Sequence, residues 1–114
     1  MSAPIFPNYI NGAWVEGPTF ENRNPADTND IVGLHGKGTP ECIDNAAHAA
    51  QQAFAGWAGL TAPARGAFLF KVADILDRKF EAISAEMTRE EGKTLPEAKG
   101  EVRRAINIFR YFAG

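Results

Sequence analysis

The stretch Glu90-Glu91-Gly92-Lys93-Thr94-Leu95-Pro96-Glu97 decides how the second half of the chain is built. Gly92-Lys93-Thr94 ends as a phosphate-binding P-loop ends, but the rest of that motif is missing. A P-loop has another glycine five residues earlier, where Met87 stands, and an apolar strand leading in. Here Thr88, Arg89, Glu90 and Glu91 lead in, and two adjacent carboxylates repel a triphosphate. The same residues read well as punctuation between two helices. Gly92 has no Cβ and takes the left-handed conformation that ends a helix. Thr94 and Glu97 form a Thr-x-x-Glu capping box, with Pro96 in the first turn of the next helix. One helix stops and another begins at once.

Working outward, Leu95, Ala98, Val102, Ala105, Phe109 and Phe112 step by three and four, which predicts a helix with one apolar face. Upstream, Leu69, Val72, Leu76, Phe80, Ile83 and Met87 form a second stripe. That helix starts at Thr61-Ala62-Pro63 and is expected to kink near Arg78-Lys79. An earlier helix opens at Thr39-Pro40-Glu41, an N-cap, a first-turn proline and an acid near the positive helix end. Its apolar set is Ile43, Ala46, Ala47, Ala50, Phe54 and Trp57, and Gly56 to Gly59 break the run. Residues 1–38 have a different texture, rich in Asn, Gly and Pro. Tyr9-Ile10-Asn11-Gly12-Ala13-Trp14-Val15 reads as a hairpin, because Asn-Gly tolerates the positive φ angles of a type I′ turn. Thr19–Arg23 and Ile31–His35 read as further strands around an Asn24-Pro25 turn. The expected organisation is α+β: a β-hairpin region over 1–38, then three amphipathic helices over 39–114.

Bulk properties narrow the function. The 114 residues are 45% hydrophobic, enough for a small core, and the net charge is −2. That balance lacks the basic footprint for nucleic acid or an anionic membrane, so neither is an expected partner. Cys42 is the single cysteine, which forbids an internal disulfide and suits a reducing, cytoplasmic setting. The opening MSAPIFPNYI has no basic region followed by an apolar run, so no signal peptide is expected.

Few residues invite a chemical role. Cys42 falls in the first turn of a helix, where the dipole lowers a thiol pKa, but Glu41 and Asp44 flank it and are expected to push it back up. Neither His35 nor His48 is spaced to pair with it, and Cys-x5-His is no metal-ligand spacing. Glu90 and Glu91 point about 100° apart on a helix and do not converge. Glu97 and Glu101 share a face with Lys99, Arg103 and Arg104 nearby, the pattern of a solvated helix with ion pairs. Lys93 reads as a cation at a negative helix end. No catalytic and no cofactor-binding residue is expected in this chain.

Five pieces of the sequence, in order, resemble the NAD(P)-dependent aldehyde dehydrogenase family along nearly the whole chain. They are Tyr9–Trp14 with Asn24-Pro25-Ala26; Ala46–Phe54 with Trp57; Arg65, Leu69, Ala73, Asp74 and Leu76; Glu90–Leu95; and Arg110–Gly114. Departures are Thr94, where members often carry proline, and Thr28-Asn29-Asp30 in place of a shorter turn. The resemblance implies an α/β whole enzyme, several times longer, whose N-terminal portion is this chain. Its three helices would cover part of a Rossmann-like dinucleotide-binding domain. It implies NAD or NADP as cofactor, the remainder of the enzyme chain as partner, and a homo-oligomer. The implied chemistry is thiolate attack on an aldehyde, hydride transfer to NAD(P)+ and release of the acid by activated water. In the family the residues that do this lie beyond position 114, so this segment alone is expected to be inactive. Some members hold a structural monovalent cation near the helix junction, and the matching positions are Glu90 and the main-chain carbonyl of Arg23. The wording Phe20–Pro25 is similar to branches acting on semialdehydes.

A rival reading stays open at this level. Ile106, Ile108, Phe109, Tyr111 and Phe112 crowd the last nine positions, and aromatic rings there carry large areas that avoid water. Either the chain continues and covers them, or it is a self-contained α+β interaction module that uses them to bind a partner.

Overall fold

A computed structural model describes residues 3–114, five short strands and four helices. Contacts divide the chain into two compact units at Ala58/Gly59, one helix later than the change of sequence texture near Gly38.

The first unit holds the strands. β1 (Ile5–Phe6) pairs in parallel with β5 (Ile31–Gly36), and β4 (Thr19–Arg23) pairs antiparallel with the other edge of β5. β5 is therefore the centre of the sheet, and the register places Phe6 and Phe20 on either side of His35. Gly33, buried beside them, leaves the room: a Cβ there would come within 2.5 Å of the Phe6 ring. β1 escaped the sequence reading because two residues make no periodicity. β2 (Asn8–Ile10) and β3 (Ala13–Val15) form the expected hairpin. Asn11 and Gly12 take φ of 51° and 80°, as a type I′ turn requires. Tyr9 and Trp14 face each other across it with ring centroids 4.8 Å apart.

Between β4 and β5 the Asn24–Asp30 turn closes on itself. Asn24 Oδ1 accepts from the Ala26 N–H at 2.9 Å, and Asp27 Oδ1 accepts from the Asn29 N–H at 3.1 Å. A bulge at Asn22/Arg23 starts it. α1 (Pro40–Ala58) follows, capped by Thr39 Oγ1, which accepts from the Cys42 N–H at 3.2 Å. No residue of α1 is buried.

The second unit is helical. α2 (Ala62–Arg78), α3 (Phe80–Glu91) and α4 (Leu95–Ala113) replace the two helices expected there. The anticipated kink is a full break: Lys79, at φ −99° and ψ 11°, leaves the helical region and separates α2 from α3. The core lies along α4, where Ala98, Val102 and Ile106 are buried, together with Ala73 of α2. Leu76, Phe80, Ile83, Met87 and Phe109 close around it. The seam departs from the expected stripe at both ends, and Leu95 at its start is 41% exposed. Phe112 sits about 80° around the helix from Val102 and is 71% exposed, whereas Ile106, about 40° away, takes the central place. No helix among the described residues is long and apolar enough to cross a membrane.

Candidate functional site

The α3–α4 junction is the best-organised polar region of the helical unit. Gly92 takes φ 74° and its N–H donates to the Thr88 carbonyl at 2.9 Å, so it ends α3 as the sequence predicts. Two residues later the capping box is in place. The Glu97 carboxylate accepts from the Thr94 N–H at 3.1 Å and from the Thr94 hydroxyl at 2.7 Å. The Thr94 hydroxyl, followed by its N–H, holds the Glu97 carboxyl below the usual carboxylate range. Thr94→Ala should cost about 1 kcal/mol of helix stability, the usual loss for an N-cap, read as a lower urea midpoint with an unchanged slope.

Lys93 sits between two acids. Its Nζ lies 2.7 Å from Glu101 and 2.6 Å from Glu91. Those two carboxylates, Glu101 first, hold the ammonium charged to higher pH than an ordinary lysine. A lysine so engaged has no grip to offer a phosphate. The expected simple dipole contact is in fact a double ion pair that ties the junction to the first turns of α4.

A second cluster ties the broken helix together. Asp77, in the last turn of α2, accepts from Arg103 Nη1 at 2.8 Å and from Arg110 Nη2 at 2.9 Å. The Arg103 guanidinium also lies 4.5 Å from the centre of the Phe80 ring, just past the break. Arg103, then Arg110, holds the Asp77 carboxyl below its ordinary range. Lys99 reaches Glu81 of α3 at 2.7 Å. Sequence reasoning placed the basic residues of α4 in a solvated face with their own acids. Of the residues named there, the structure sends Lys99 and Arg103 across to α3 and α2. Arg110, which that reading did not include, joins Arg103 on Asp77, and their seven-residue spacing is the sequence signal for it.

These shifts set a pH dependence for the helical unit. Asp77 and Glu97 are lowered in the fold, so what they add is complete above their unfolded values of about 4 and disappears as pH falls through the lower folded values. Lys93 is raised, so its part is complete below about 10.4 and is lost as pH rises through the higher folded value. Unfolding midpoints should form a plateau between these limits. Asp77→Asn should flatten the acid limb and leave the alkaline limb unchanged, as followed by circular dichroism against pH.

The remaining candidates lie apart. Cys42 is half-buried at the start of α1, and its thiol is lowered, not raised. Hydrogen bonding to the Thr39 side chain and backbone outweighs burial and the Glu41 charge. His48 Nε2 lies 2.9 Å from the Gln52 amide nitrogen on the exposed side of α1. His35 stacks on Phe6 at 5.0 Å between centroids. Arg23, in the first unit, turns its guanidinium to Glu21 Oε2 at 2.5 Å and donates to the Thr28 carbonyl at 2.7 Å. Glu90, in the second, is exposed in the last turn of α3. The Glu90 carboxylate and the Arg23 carbonyl are oxygen donors, the ligand type that hard cations take. Among the described residues no group of three or more His, Cys, Asp or Glu side chains is placed to hold a metal ion.

The described residues thus form a capped helix junction, a three-helix core and a strand-turn region. The sequence model of the aldehyde dehydrogenase family matches residues 14–114. The chain belongs to that family. It is 50% identical over 110 residues to the alpha-ketoglutaric semialdehyde dehydrogenase of Bacillus subtilis (strain 168), which covers 94% of this chain and 22% of that protein. The 1-pyrroline-5-carboxylate dehydrogenase of Thermus thermophilus superposes with a TM-score of 0.95 at 30% identity, over 97% of this chain and 22% of that one. The betaine aldehyde dehydrogenase of Staphylococcus aureus, solved with NAD+, gives 0.90 at 34% identity, over 95% and 22%. The chain thus spans about a fifth of the length of the relatives it matches.

Proposed function

We propose that the chain is the N-terminal portion of an NAD(P)-dependent aldehyde dehydrogenase whose substrate is a semialdehyde bearing a carboxylate, of the alpha-ketoglutaric type. The observation that carries this reading is the 50% identity to the Bacillus subtilis enzyme over 110 residues. Nicotinamide supplies the hydride acceptor when bound. The residues of this chain supply scaffold: the Ala73, Val102 and Ile106 core, the Asp77 clamp and the Thr94 cap. The whole enzyme is proposed to be a cytoplasmic homo-oligomer. Glu90 and the Arg23 carbonyl are proposed as ligands of a structural monovalent cation, supported by the family resemblance and by their oxygen chemistry. The match along residues 14–114 favours this reading over a self-contained interaction module.

The test uses the 114-residue chain beside the full-length polypeptide from the same coding frame. The longer protein should reduce NAD+ or NADP+ with alpha-ketoglutaric semialdehyde at higher kcat/KM than with aliphatic aldehydes lacking a carboxylate, and the shorter should give no turnover. Turnover by the short chain would overturn the assignment of catalysis to later sequence. A preference for uncharged aldehydes would overturn the substrate class.

A further inference from the structure

No further inference is drawn: the strongest candidate, the half-exposed row Phe6–His35–Phe20 across the β1–β5–β4 sheet, with His35 Nε2 lacking a hydrogen-bond partner, is an apolar face and nothing in the structure shows what covers it.

Discussion

Replacing Ile106 by alanine should destabilise the helical unit by about 2–5 kcal/mol, the range for deleting a fully buried aliphatic side chain. Ile106 has 0% of its surface exposed and sits in the centre of the seam with Val102 and Ala73. Two features hold the loss in the upper part of that range. The facing Ala73 has only a methyl group, with no rotamer that could swing into the void, and Phe80 and Phe109 close around the core as rigid rings. A small unit has little stability to spare, so such a loss is a large fraction of the total. Ile106→Val should cost only about 0.5–1.5 kcal/mol. Urea unfolding of both variants gives the comparison. If alanine proves no worse than valine, Ile106 is not the centre of this core.

The second large effect is a reversal of sign. Glycine inside a helix normally costs roughly 0.5–1 kcal/mol relative to alanine, so Gly→Ala should stabilise. Gly100, in α4, has nothing within 4 Å of where a Cβ would stand and should follow the rule. Gly66, in α2, should break it. It is buried, and a Cβ there would overlap the carbonyl oxygen of Ala113 at the far end of α4. The obstacle is backbone, so no rotamer relieves it and the two helices must part. Gly66→Ala should therefore lose about 1–3 kcal/mol, and Gly66→Val more, with a lower midpoint against a raised one for Gly100→Ala. Stabilisation at both glycines would show that α2 and α4 do not approach so closely.

Local signals carried the sequence reading where a single residue type decides the backbone. Asn11-Gly12, Gly92 and Thr94 with Glu97 each name their own turn or cap, and all appear where expected. Most of α4's inward face was legible for the same reason, because three- and four-residue steps are a property of one segment. What depended on partners was not legible. Nothing in Arg78-Lys79-Phe80 distinguishes a kink from a break, since Asp77 meets Arg103 and Arg110 only after α4 has folded back. The choice of Ile106 over Phe112 follows from which side of α4 meets Ala73, and the stripe, whose five steps over 17 residues average 3.4, drifts against the 3.6 of the helix. The Cys42 thiol was misjudged because charges are visible in sequence and a hydrogen bond from Thr39 is not.

α1 has a consequence of another kind. Across its 19 residues nothing is buried, and Ile43, Phe54 and Trp57 stand in contact with solvent. Its turns draw largely on local features, a run of alanines and one threonine hydroxyl at the start, with Cys42, Ala46 and Ala49 only half-buried. A helix of this length lies only a little above the roughly 12–15 residues at which isolated helices become marginal. In the 114-residue chain its amide protons should therefore exchange with bulk water through local fraying, faster than those around Val102, which wait for a collective opening.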